Sequence, residues 1–256
     1  MKKTAFVLFI IFFPFSSLII KAQSSDVENV KLNFHDRHAY KTAVEMYSVA
    51  DTLPYNVDAD LFINQISSRI DRGLPIEDET VWEILQKLEP YRMHHRVQEA
   101  VKVWVDKSVK RISTQKVTGQ ATLASLQSAS QAYNSRDFEK TVQECKKILS
   151  GSPRHHDLRS NMALALMHQN KDLCAQIELE IVHKLSNTHI PAMINLTVVY
   201  ERLNKRRDAE SMANALSQLA GSRNLDVPLI RYNEAWYRLQ NGEYQYADTV
   251  VNRARR

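Results

Sequence analysis

Glycine and proline are scarce in this chain of 256 residues, with 5 and 7 copies. Small β-sheets need many tight turns, and tight turns draw on these two residues. The shortage excludes a turn-rich sandwich or barrel and favours long helices. Only two cysteines are present, Cys145 and Cys174. A disulfide framework is excluded, and at most one bridge could form. Both positions fall inside predicted helices, which favours two free, buried thiols packing as small apolar groups. The common catalytic signatures are missing too. There is no G-x-S-x-G, no H-E-x-x-H and no glycine loop to cradle a phosphate. The expectation is a non-enzymatic protein with no cofactor, no bound metal and no small-molecule substrate.

What is present begins with a leader. Lys2 and Lys3 precede an apolar run from Ala5 to Ile20, broken only by Pro14, Ser16 and Ser17, and Ala22 offers a small residue for cleavage. That is the layout of a secretory signal peptide over residues 1–22. The run is shorter than the roughly 18 to 20 residues of a spanning helix and contains a proline. The expected product is exported to the periplasm or cell envelope, with no transmembrane segment after cleavage. Without the leader the chain carries 31 basic and 29 acidic residues, so the net charge falls from +5 to +2. So small an excess is no footprint for nucleic acid.

Helical periodicity then runs nearly to the end. The pattern predicts helices at 27–36, 38–52, 58–72, 78–89, 94–113, 118–135 and 137–150. Six more are predicted at 156–170, 172–186, 190–204, 206–219, 227–241 and 243–255. Prolines 54, 75, 90, 153, 191 and 228 mark the breaks, since proline inside a helix removes a hydrogen bond and clashes with the preceding turn. Hydrophobic residues make up 44% of the chain, enough for a packed core.

Several segments share one spacing. Tyr40, Ala43, Tyr47 and Ala50 stand three, four and three apart, and so do Phe138, Thr141, Cys145 and Ile148. Ala129 precedes the second set and Pro153 follows it. Near the end, Gly242 is followed by Tyr244 and Ala247. These residues resemble the tetratricopeptide repeat, a 34-residue helix–turn–helix unit with a turn glycine, an aromatic, a small residue and a closing proline. In that light "NKDLCAQ" (170–176) reads as one residue too long at its turn, and Arg206 stands where an aromatic is expected. The resemblance implies an all-α fold, a right-handed α-solenoid of stacked antiparallel helix pairs. Residues 23–117 are divergent N-terminal helical repeats, and 118–256 form the repeat array proper.

Histidines and carboxylates are the remaining candidate site residues. His35 and His38 share a helical face, but two further zinc ligands are missing nearby, so a solvated face is expected. The neighbours His94–His95 and His155–His156 diverge by about 100° around a helix and read as exposed polar residues. Glu178 and Glu180 have the spacing of a solvated surface, and "NKRRDAE" (204–210) reads as a polar turn between helices.

In the resembled repeats, ligands meet the first helix of each pair. Carried onto this chain, that face holds Leu126, Tyr133 and Asn134 in one repeat, then Met167 and His168. It continues through Val198 and Arg202 to Tyr232, Trp236 and Gln240. The resemblance implies a scaffold that binds a protein or peptide partner in the cell envelope. Two alternatives stay open: an envelope hydrolase with an unrecognised site, and a cell-wall glycan binder using Tyr232, Trp236 and Tyr237. Cleavage of the leader is testable at once. Intact-mass measurement of the envelope fraction should show a mature N-terminus at Gln23; an uncut chain recovered from the membrane would overturn the assignment.

Overall fold

The computed structural model describes residues 57–119 and 121–222. Among the described residues the chain is all-helical, with nine α-helices and no strand. They are α1 (Val57–Asp71), α2 (Glu79–Leu88), α3 (His95–Thr114), α4 (Leu123–Asn134), α5 (Phe138–Gly151) and α6 (His156–His168). Then come α7 (Asp172–Leu185), α8 (Ile190–Arg202) and α9 (Arg206–Ser222), and a 3-10 turn at Glu89–Tyr91 joins α2 to α3. The predicted helices at 27–36, 38–52, 227–241 and 243–255 lie outside the described residues, and so do His35, His38 and the Gly242–Tyr244–Ala247 segment. No helix among the described residues is long and apolar enough to cross a membrane.

Each boundary has a local cause. Side chains of Asp78, Thr122 and Asp137 accept a backbone N–H at the starts of α2, α4 and α5. Such caps satisfy amides that have no partner inside the helix. Pro191 occupies the first turn of α8, where a missing N–H costs nothing. Sequence periodicity placed the start of α4 at residue 118; the cap at Thr122 moves it to Leu123. The segment before it is strapped to the end of α5 instead. The N–H groups of Thr118 and Gly119 both donate to the carbonyl of Gly151 at 3.1 Å, and the Ser152 hydroxyl donates to the carbonyl of Gly119 at 2.6 Å. A Cβ on Gly151 would lie 3.2 Å from the Gly119 Cα, closer than ordinary contact, so this approach favours glycine at 151.

Left-handed backbone recurs on a fixed period. Arg136, Asn170 and Asn204 have φ of 61°, 59° and 55° and stand 34 residues apart. Each ends one helix and leads into the next. Asn170 therefore falls in step with Arg136, and "NKDLCAQ" carries no extra residue. The true departure is Asp172 at the place held by Phe138 one period earlier.

Packing follows the same spacing. The ion pair Arg96–Asp60 (3.0 Å), the bond from Trp104 Nε1 to Ser67 Oγ (2.9 Å) and the ion pair Lys107–Asp71 run α1 parallel to α3, with α2 packed against α1. Asn195 donates to the Ser160 hydroxyl at 3.4 Å and Arg202 to the Met167 carbonyl at 2.9 Å, which runs α6 parallel to α8. Helix α7 packs on both α6 and α8.

The N-terminal helices do more than precede this arrangement. Helices α2 and α3 dock onto α7. Gln98 and Gln176 exchange amide hydrogen bonds at 3.1 and 2.9 Å, and Lys184 pairs with Asp106 further along. With neighbours on every side, α7 is buried without a break from Asp172 to Val182. A helix enclosed on all faces needs an apolar circumference or internal partners for its polar groups. Trp104, fully buried on α3, is the largest wholly enclosed side chain among the described residues. Trp104→Ala should cost roughly 3–5 kcal/mol of stability, read from urea unfolding of the full chain. An unchanged midpoint would mean that α3 does not pack as described.

Candidate interaction surface

Four polar side chains of α7 are buried: Asp172, Gln176, Glu178 and Glu180. Glu178 and Glu180 were expected on a solvated surface. The structure corrects this, because α2 and α3 cover the face that a simple helix pair would leave in water. Arg159 on α6 is only 1% exposed and bridges Glu77 and Glu178, while its Nε donates to the Pro153 carbonyl at 3.0 Å. Arg111 on α3 reaches Glu77 at 3.4 Å. Burial works to raise the Glu77 carboxyl, but Arg159 and Arg111 outweigh it and hold it below its ordinary value. Glu178 sits deeper, and burial pushes it up to about 7 against the pull of Arg159.

The second polar knot lies at the start of α7. Its N-cap residue is Lys171, which makes no side-chain cap. Glu89, from the turn between α2 and α3, supplies the acceptor in its place: the Leu173 N–H donates to both carboxylate oxygens, at 3.2 and 3.1 Å. Burial, and then the neighbouring Asp172, push the Glu89 carboxyl up to about 8, with Arg92 opposing. Gln176 and Tyr200 both donate to Glu180, at 2.7 and 3.1 Å. Perturbed carboxyls mark active sites when they face a cleft, and structural networks shift them as well. Here each faces a guanidinium, an amide, a hydroxyl or a backbone N–H, so the arrangement locks helices together.

The ten residues of the expected binding face divide sharply. Leu126, Met167 and Val198 are core residues, 0%, 1% and 4% exposed. Tyr133 and Arg202 are buried, His168 is half-buried and Asn134 is exposed. Tyr232, Trp236 and Gln240 lie outside the described residues. Burial is this deep because α6 meets α5, α7 and α8 together, leaving Leu158 to Met167 enclosed without a break.

Part of the strip does converge. The Phe138 ring stacks on His168 with centroids 4.3 Å apart and planes 4° from parallel. Tyr133 meets both rings edge-on, and its hydroxyl lies 3.2 Å from His168 Nε2. One period later Asp172 pairs with Arg202 at 3.1 Å. Phe138 and Asp172 are 34 residues apart, and so are His168 and Arg202. Positions one 34-residue period apart are thus joined once by stacked rings and once by an ion pair. Arg202 also donates to the Met167 carbonyl and to Asn170 Oδ1, both at 2.9 Å.

The sequence reading missed Glu89, Asp172 and three histidine caps, the first of them His94 at the start of α3. His155 and His189 open α6 and α8, each accepting a backbone N–H on Nδ1. Their separation of one repeat length was the available signal. Among the described residues no group of three or more His, Cys, Asp or Glu could hold a metal ion. Cys145 and Cys174 are free and buried, and burial pushes both thiols well up.

No family model matches the chain, and no curated protein matches it. The Arg159 bridge is therefore best tested directly. Arg159→Ala leaves two buried carboxyls without their shared partner and should cost about 3–5 kcal/mol. Leaving Glu77 and Glu178 in place while replacing Arg159 by Lys should recover only part of it, because lysine keeps the charge but has no second nitrogen to hold the Pro153 carbonyl as Nε does. Equal stability of all three chains by urea unfolding would refute the bridge.

Proposed function

We propose that this chain is an exported, non-enzymatic scaffold of the tetratricopeptide type: a right-handed solenoid of helix pairs that binds a protein or peptide partner in the cell envelope. The observation that carries the reading is the recurrence of left-handed turn residues at Arg136, Asn170 and Asn204. A 34-residue period is the length of that repeat unit. Parallel first helices joined by bonds about one repeat apart add to it, as do the matched joints Phe138–His168 and Asp172–Arg202.

The surface best suited to a partner is the outer stripe of α4. Gln127, Gln131 and Asn134 are exposed and stand four and three residues apart, which places them on one helical face. Each amide carries both donors and acceptors, so the row can pair with the backbone of an extended segment without demanding a particular charge. Asn134 belongs to the binding face expected from the sequence, and its neighbour Tyr133 joins the Phe138–His168 stack. Repeat arrays bind along such extended faces rather than in closed pockets.

Co-purification from envelope extract, with bound proteins identified by mass, tests the reading. The double substitution Gln131→Glu and Asn134→Glu should reduce capture of the specific partner roughly tenfold, the loss expected from like or unpaired charge at a contact. The melting temperature should stay unchanged, since both positions are exposed. If the altered chain captures the same partners as strongly, the α4 stripe is not the binding face.

A further inference from the structure

Three histidines meet at the corner where α6 and α8 begin. His155 Nδ1 accepts the Leu158 N–H at 3.3 Å, and His189 Nδ1 accepts the Ala192 N–H at 3.1 Å. His189 Nε2 lies 2.9 Å from Asp157 Oδ1, so it carries the hydrogen and donates across from one helix start to the other. His156 meets His189 edge-on, with ring centroids 6.2 Å apart. An imidazole nitrogen that accepts a hydrogen bond must be unprotonated. Protonation turns it into a donor facing another donor, beside a helix N-terminus whose dipole already disfavours positive charge.

We propose that His155 and His156, set against His189 at the start of α8, form an acid-sensitive joint between the helix pairs α6–α7 and α8–α9, closed at neutral pH and loosened when the two α6 imidazoles take up protons. The groups acting on the two α6 rings are known. Burial lowers His155, with Asp157 opposing and His189 adding to the fall; burial lowers His156, with His189 adding, Asp157 opposing, and His155 and Arg159 adding. The charged side chains acting on these rings, Asp157 and Arg159, both stand on α6. The folded chain thus holds both rings neutral at a pH where the unfolded chain, titrating near 6.5, begins to bind protons. Stability is full above about 6.5 and falls as pH drops below it.

Asparagine caps a helix but does not titrate, so His155→Asn separates the switch from the cap. Hydrogen exchange at the Leu158 amide, corrected for intrinsic rates, should be compared at pH 7.5 and 5.5 in the full chain. In the native chain protection should fall roughly five- to tenfold, the factor that corresponds to losing one capping bond. In the variant it should not change. Retained protection at pH 5.5 in the native chain, or an equal loss in the variant, would overturn the proposal. Should the variant fail to fold, the imidazole titration of the native chain by NMR decides. Midpoints for His155 and His156 below 6.5 support the joint, and midpoints at or above 6.5 overturn it.

Discussion

The enclosure of α7 is the constraint on which the rest of the molecule depends. A helix with neighbours on every side cannot send its carboxylates to water, so each must find a partner within the fold. Glu178 finds Arg159, which is shared with Glu77 from the loop before α2. Asp172 finds Arg202, and Glu180 finds Gln176 and Tyr200. Arg159 lies on α6, Arg202 and Tyr200 on α8, and Glu77 in the loop before α2, so one element ties together the segments on either side of it. Buried ion pairs are weak evidence for net stability, because desolvation offsets attraction. Their value here is selective: a slip of α7 by one residue would strand several charges at once.

The joints between successive helix pairs show how one geometry accepts different chemistry. Stacked rings at Phe138–His168 tolerate a part-exposed setting, where their apolar faces are half in water. The ion pair Asp172–Arg202 occupies the equivalent place deeper in the fold, where Arg202 can also satisfy the Met167 carbonyl and Asn170. The two solutions are not interchangeable. Phenylalanine at 172 would leave the Arg202 guanidinium short of a counter-charge in a buried setting, and aspartate at 138 would meet no guanidinium at 168.

The nine described helices were legible because proline, glycine and capping residues punctuate a strongly periodic pattern. Predicted and observed ends mostly agree within two residues; the start of α4 differs by five, which traces to the Thr122 cap, and the end of α9 runs three residues further, to Ser222. The free, buried state of the two cysteines was legible for the same reason, since both stand on helical core positions. The fate of the α7 carboxylates was not. Glu178 and Glu180 have an ordinary surface pattern along the chain, and only the docking of α2 and α3, from about 80 residues away in sequence, puts them inside. The binding strip suffered likewise: Leu126, Met167 and Val198 carry the right helical phase for one face, but periodicity cannot say whether that face meets water or another helix. Asn170 was misread because the repeat was sought in its aromatic, and Asp172 stands there instead; the period survives in the turn conformation.

The contact of α3 with α7 also sets how the chain can reach its native state. In an open row of repeats each unit touches only its neighbours, so structure can start anywhere and spread step by step. Here Gln98 meets Gln176 and Asp106 meets Lys184, partners 78 residues apart in sequence. Closing so long a loop costs entropy before any contact rewards it, and distant contacts of this kind slow folding relative to a bundle of local ones. The later pairs must largely be in place before α3 has a surface to dock on. A chain of locally packed helices thereby acquires a last, long-range step that joins α3 to the later helices.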